Sequence, residues 1–120
     1  MENLIIIIDD KIRLLEFWEE AAEDSNGSFK TLTFLGPLEF FEYAKANSVA
    51  KAICVVVDRF GPGYDNQGDF IEPLKRTDFK GKKILTSAIF KHGETVAVEG
   101  FDYVFSKKDI VENVRKFLNV

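Results

Sequence analysis

The chain has 120 residues, of which 46% are hydrophobic and 30% are charged, and its net charge is −4. This length allows one domain with its own core, so we predict a single domain over residues 1–120. The acidic balance, without a dense basic cluster, argues against nucleic acid as a direct partner. No apolar run approaches the ~20 residues that a membrane-spanning helix needs, so no membrane partner is expected. Cys54 is the only cysteine, which favours a reducing, cytoplasmic location.

Short apolar runs alternate with amphipathic patterns along the chain. The predicted strands cover residues 3–8, 29–35, 52–57, 82–87 and 102–106. The predicted helices cover residues 12–24, 37–47, 68–77, 93–99 and 108–119. Near-continuous apolar strands separated by helices are typical of a parallel sheet covered on both faces. The sequence therefore predicts an α/β fold, a doubly wound three-layer sandwich with five parallel strands.

The first two helices have apolar stripes at helical spacing. In the first helix we expect the inward residues to be Ile12, Leu15, Trp18 and Ala22. In the second helix, which opens with Gly36-Pro37, we expect them to be Leu38, Phe41 and Ala44.

Polar side chains follow the strands at the points where the apolar runs end. Asp9 and Asp10 follow the first strand and Asp58 follows the third, while Ser87 closes the fourth and Lys107 follows the fifth. The carboxyl ends of parallel strands meet at one edge of the sheet, where open α/β folds place their sites. Carboxylates packed together repel each other, so one is protonated unless a cation lies among them. A cluster of oxygen ligands suits Mg²⁺, which makes the acidic pair interpretable as half of a metal site.

These residues and their spacing resemble the receiver domain of bacterial response regulators, and the resemblance covers essentially the whole chain. The motifs are Ile8-Asp9-Asp10, Val57-Asp58, Ser87-Ala88 and Lys107. Pro62 stands four residues after Asp58, and Gly100 stands seven residues before Lys107, as in that family. The resemblance implies the flavodoxin-like (βα)5 fold with strand order 2-1-3-4-5.

The resemblance also implies a role for each of these positions. Asp58 would accept a phosphoryl group from a histidine kinase, a phosphotransfer protein or a small donor. Mg²⁺ would be held by Asp9, Asp10, Asp58 and the backbone carbonyl of Phe60, with Asp10 as the more direct ligand. Ser87 and Lys107 would bind phosphoryl oxygens. A protein of this kind is a signalling module rather than an enzyme: it passes its phosphorylation state to a partner protein, in some cases as a phosphorylation-dependent homodimer.

The sequence departs from the family pattern in ways that concern switching. Lys108 stands where the family usually has proline, and a cis bond without proline costs ~3 kcal/mol. We therefore expect a trans bond and a different placement of Lys107. Val104 occupies the position of the usual aromatic switch residue, and strand alternation should turn its aromatic neighbours Tyr103 and Phe105 to the opposite face.

Other departures lie in the loops after the third and fourth strands. The loop after Asp58 is rebuilt, and the segment between Ser87 and Gly100 is short, which predicts an abbreviated fourth helix. Phe60 and Ile89, at the positions that influence water attack on the phosphoryl group in this family, are both apolar. We predict slow autodephosphorylation.

Alternatives remain open at this point. Asp10 could serve only to cap the first helix. The chain ends with the fifth helix, which predicts a stand-alone receiver or a phosphorelay shuttle, but a degenerate receiver that binds proteins without phosphorylation is the main alternative. An enzyme on the same scaffold is disfavoured, because no Gly-rich phosphate loop follows the first strand and no Asp-x-Asp motif is present.

Overall fold

The computed structural model describes the backbone of residues 3–58, 68–87 and 100–118, and the side chains of all of these except residues 68, 69, 87, 117 and 118. The elements are β1 (Asn3–Ile8), α1 (Ile12–Asp24), β2 (Phe29–Phe34), α2 (Pro37–Ala46), β3 (Ala52–Asp58), α3 (Gly68–Lys75), β4 (Lys82–Ser87), β5 (Tyr103–Ser106), a 3-10 turn (Lys107–Asp109) and α4 (Ile110–Leu118). The helix predicted over 93–99 lies outside the described residues. None of the helices in the described ranges is long and apolar enough to cross a membrane.

All five strands are parallel and lie in the order β2-β1-β3-β4-β5. This arrangement confirms the predicted fold class and strand order. β1 lies inside the sheet, with β2 on one side and β3 on the other, so the order reverses between β1 and β3. At this point the loops that follow two neighbouring strands turn to opposite faces of the sheet and leave a crevice at its carboxyl edge.

The sheet is buried on both faces, and side-chain alternation divides its core into two layers. The first face packs against α1 and α4, and its buried residues include Ile5, Ile7, Cys54, Val56, Ile84, Trp18 and Val114. The second face packs against α2 and α3, and its buried residues include Ile6, Ile8, Val55, Val57, Leu85, Phe40 and Phe70. The continuous apolar runs of β1 and β3 follow directly from burial on both sides.

The helix faces agree with the predicted stripes except at the start of each helix. Leu38 was predicted to be inward, but it is 67% exposed, and Phe40 is the fully buried residue of α2. Leu38 lies about 130° around the helix from the centre of the stripe that Pro37, Phe40 and Ala44 form. Ile12, the first residue of α1, was also predicted to be inward and is 59% exposed. In α2 the exposure of Leu38 follows from its angular position, since Pro37 in the same turn is buried.

Candidate functional site

The carboxyl edge of the sheet brings together most of the residues that the sequence singled out. Asp9 directly follows β1, and its backbone N–H donates to the Phe34 carbonyl of β2 over 3.0 Å. Its carboxylate Oδ1 accepts a hydrogen bond of 2.8 Å from the backbone N–H of Lys11 at the start of α1. Asp58 is the last residue of β3. Both carboxylates are buried, with Asp9 1% and Asp58 8% exposed.

Lys107 joins these two carboxylates. Its Nζ lies 3.2 Å from Oδ2 of Asp9 and 3.1 Å from Oδ1 of Asp58. The described residues contain no cis peptide bond, which agrees with the trans bond expected between Lys107 and Lys108. The long side chain of Lys107 reaches both acids with this bond in the trans form. The partly buried ammonium offsets the repulsion between two carboxylates that have little contact with water.

Burial controls the proton affinity of this cluster. Desolvation, together with the negative charge of Asp9, raises the pKa of Asp58 to about 6, and Lys107 opposes this rise. Burial also raises the pKa of Asp9, against the opposing effect of the Lys11 N–H and the Lys107 charge. Burial disfavours the Lys107 ammonium, but its hydrogen bond to Asp58 and the charges of both acids outweigh this and raise its pKa. The charged lysine and at least one ionised carboxylate therefore coexist near neutral pH.

A third carboxylate completes a set that fits a divalent cation. Asp10 is exposed at the rim, and one oxygen each from Asp9, Asp10 and Asp58 lie within 4.8 Å of one another. Three hard oxygen ligands with one side open to solvent fit Mg²⁺, which keeps several of its waters when it binds to proteins. The hydrogen bond to the start of α1 comes from Asp9, and Lys11 is the residue that precedes the helix. This geometry does not use Asp10 as the helix cap and leaves its carboxylate available to an ion.

Some of the predicted site residues lie at the limit of the described structure. The backbone of Ser87 ends β4 and pairs in register with Ser106, but its side chain is outside the described residues. Phe60, predicted to offer its backbone carbonyl to the metal, is also outside them, as is Ile89.

The aromatic residues of β5 have the arrangement that strand alternation predicts. Val104 packs against the second-face core. Tyr103 and Phe105 pack against the first-face core, with their rings stacked 6.1 Å apart. The side chain in the switch position is therefore aliphatic, and the aromatic side chains of this strand lie on the face of α4.

The sequence analysis missed Thr86. This residue is 1% exposed and pairs in register with Asp58 on the neighbouring strand. It belongs to the first face, as does Ile84 two residues earlier. The signal in the sequence was a hydroxyl residue inside a strand that is otherwise apolar at its buried positions. Ser87, the next residue, is the one that matches the motif of the resembled family.

Solved structures that are similar to this chain over nearly its whole length include receiver domains. The chain is similar to a CheY-like response regulator receiver domain from Methylobacillus flagellatus, with 15% identity, a TM-score of 0.73, and coverage of 99% of this chain and 98% of that one. A response regulator receiver protein from Burkholderia phymatum has 17% identity, a TM-score of 0.70, and coverage of 99% and 97%. The complex of the phosphorylated P1 domain of CheA3 with CheY6 from R. sphaeroides has 12% identity, a TM-score of 0.65, and coverage of 98% of both chains.

The similarity lies in the structures and not in the sequences. No protein-family model matches this chain. No curated protein sequence matches it either. At these identities the matches show that the chain has the receiver-domain fold over nearly its whole length. The function must be argued from the site.

Proposed function

We propose that this chain is the phosphoacceptor receiver of a two-component signalling or phosphorelay system, with Asp58 as the acceptor. The observation that supports this most directly is the Lys107 ammonium between Asp9 and Asp58. It lies at the carboxyl edge of the sheet, where the strand order reverses between β1 and β3. Phosphoryl transfer to a carboxylate needs a positioned nucleophile and positive charge close to the oxygens of the phosphoryl group. This edge of the sheet offers both.

In the proposed reaction an Asp58 carboxylate oxygen attacks the phosphorus of a phosphohistidine or a small phosphodonor. The new O–P bond forms in line with the bond that breaks, and the electron pair of the broken bond stays with the donor. The Asp58 carboxylate loses its charge when it becomes an acyl phosphate, so the Lys107 ammonium then pairs with a phosphoryl oxygen. Ser87 is the proposed hydroxyl partner of another phosphoryl oxygen. Asp9, Asp10 and Asp58 would hold Mg²⁺, whose charge offsets that of the phosphoryl oxygens. The proposed chemistry is limited to this phosphorylation and its slow loss.

The surface beside the site carries exposed apolar side chains, which supports a protein as the phosphodonor. Ile12, Leu35 and Leu38 lie at the carboxyl edge, where α1 begins and where β2 leads into α2, and all are exposed. Exposed apolar side chains beside a polar site are candidates for contact with another protein. One structural neighbour is a complex of CheY6 with the phosphorylated P1 domain of CheA3. We propose a histidine kinase or phosphotransfer protein as the donor. The downstream partner and a phosphorylation-dependent homodimer remain predictions.

One observation favours the second candidate, a receiver that binds its partner without phosphorylation. Val104, in the position of the usual aromatic switch residue, is packed into the second-face core. An aliphatic side chain there cannot rotate a ring between a buried and an exposed position. This candidate shares the fold with the first and differs in its chemistry.

The deciding experiment is intact-mass spectrometry after incubation with acetyl phosphate or phosphoramidate and Mg²⁺. We expect the wild-type chain and the control variant Asp24→Asn to gain one phosphate, and Asp58→Asn to gain none. Removal of Mg²⁺ by a chelator should abolish the gain in all three proteins. Phosphate that survives Asp58→Asn would identify a different acceptor. If the wild type gains no phosphate either from small donors or from histidine kinases of its own organism, this result would support the phosphorylation-independent module.

A further inference from the structure

The hydroxyl of Thr86 is buried beside the proposed acceptor without a hydrogen-bond partner. Among the residues that the structure describes, none bonds its Oγ1, and the residue is 1% exposed. An unpaired buried hydroxyl is unfavourable, because it has lost its water without gaining a partner. Valine has the same shape and would avoid this cost. The hydroxyl therefore suggests a role in another state of the site.

The topology places Thr86 in the path of Lys107. Lys107 follows β5, whereas the carboxylates that its ammonium contacts follow β3 and β1. Neighbouring strands are about 4.8 Å apart, so the lysine side chain must extend across β4 to reach them. Thr86 is the β4 residue in register with Asp58 on one side and with Phe105, two residues before Lys107, on the other.

We propose that Thr86 is a positioning residue for Lys107, and that its hydroxyl accepts a hydrogen bond from the Lys107 ammonium when Asp58 no longer offers a charged oxygen. An ammonium has three N–H donors, and two carboxylates are its described partners in the resting structure. Phosphorylation of Asp58 would remove the negative charge of one of these two carboxylates. This part of the inference rests on the proposed function. Rotation of the Thr86 side chain would then supply a replacement and hold the ammonium at the phosphoryl oxygens.

The kinetic test compares two substitutions that separate the hydroxyl from the shape of the side chain. Thr86→Val keeps the shape and removes the hydroxyl, and Thr86→Ser keeps the hydroxyl. Thr31→Val is the matched control, because Thr31 is a partly buried strand threonine on β2, at the edge of the sheet away from β5. With acetyl phosphate we expect Thr86→Val to be phosphorylated roughly tenfold more slowly. Thr86→Ser and Thr31→Val should stay within about twofold of the wild type on the same scale.

A second test needs neither phosphate nor metal. Asp58→Ala removes the carboxylate from the ammonium, so Thr86→Val is measured by urea unfolding in the wild type and in the Asp58→Ala background. In the wild type we expect Thr86→Val to be neutral or stabilising, because the hydroxyl there is unpaired. In Asp58→Ala it should increase the unfolding equilibrium constant by roughly tenfold, and adding Lys107→Met should abolish that effect.

The outcomes separate this proposal from the proposed function. Slow phosphorylation of Thr86→Val with rescue by Thr86→Ser, together with non-additive unfolding, would uphold it. A wild-type phosphorylation rate in Thr86→Val, or additive unfolding energies, would overturn it. If the wild type accepts no phosphate at all, the proposed function fails and the unfolding cycle alone decides the role of Thr86.

Discussion

The Lys107 Nζ lies 3.1 Å from Oδ1 of Asp58, although β4 separates β3, which ends with Asp58, from β5, which Lys107 follows. The contact is possible because Asp9 and Asp58 both follow strands at the point where the strand order reverses, within reach of the lysine side chain. Asp9 closes the arrangement from β1, with its Oδ2 at 3.2 Å from the same ammonium. Four predictions follow from this geometry and from the packing around it.

The first prediction concerns Asp58 and the pH dependence of folding. Burial raises the pKa of Asp58 from 3.8 to about 6. The folded chain therefore binds this proton more tightly than the unfolded chain, and the associated stability is complete below about pH 4 and lost as the pH rises through about 6. Asp58→Asn should be more stable than the wild type at pH 7, by up to about 3 kcal/mol. The difference should vanish toward pH 4.

Chemical denaturation at a series of pH values measures this difference directly. Saturating Mg²⁺ should reduce it, because the cation stabilises the ionised carboxylate of the wild type and has fewer ligands in Asp58→Asn. Equal stability of the two proteins at pH 7 without metal would contradict this prediction, because it would show that burial does not destabilise the ionised Asp58 carboxylate.

The second prediction separates two adjacent lysines. Lys107 contacts both buried acids, whereas Lys108 is exposed. Lys107→Met should raise the pKa of Asp58 above about 6, because it removes the cation that lowers it. It should also slow phosphorylation by roughly a hundredfold or more, as expected when a positioned charge is lost. Lys108→Met should change neither, and carboxyl NMR titration with phosphorylation kinetics would show whether the pair behaves differently.

The third prediction concerns the metal. Asp10 is the exposed member of the three carboxylates whose oxygens lie within 4.8 Å of one another. Asp10→Asn should weaken Mg²⁺ binding at least about tenfold, since even indirect contributors to metal sites have effects of that size. Asp24→Asn, an exposed carboxylate at the end of α1, is the control and should bind as the wild type does. Calorimetric titration of the metal-free protein measures both, and unchanged affinity in Asp10→Asn would remove Asp10 from the site.

The fourth prediction concerns α2, in whose first turn the sequence pattern wrongly predicted an inward side chain. Phe40 is fully buried against the second face, whereas Leu38 is 67% exposed. Phe40→Ala should lower the free energy of unfolding by about 3–5 kcal/mol through lost burial and a cavity. Leu38→Ala should change it by less than about 1 kcal/mol. Urea unfolding of the two variants would decide, and a large loss from Leu38→Ala would contradict the structure.

The errors of the sequence analysis have a common physical cause. Ile12 and Leu38 are apolar and were placed on the inward stripes by their spacing, but each lies in the first turn of its helix on a side that is exposed. Periodicity reports which side of a helix a residue is on and not whether another element covers that side. Where the coverage was continuous, as along β1 and β3, the apolar runs predicted burial correctly.

The fold class and the list of residues at the carboxyl edge could be predicted from the sequence, because both depend on local pattern and spacing, whereas the strand order was predicted from the resemblance. The contacts among these residues are known from the tertiary structure alone. Lys107 is 49 residues from Asp58 and 98 from Asp9, yet the distances that join them depend on how three strands are ordered and how a lysine crosses a fourth. The position of Thr86 beside Asp58 is likewise a tertiary contact, because it depends on the pairing of β3 with β4, two strands whose paired residues are 28 positions apart in the sequence.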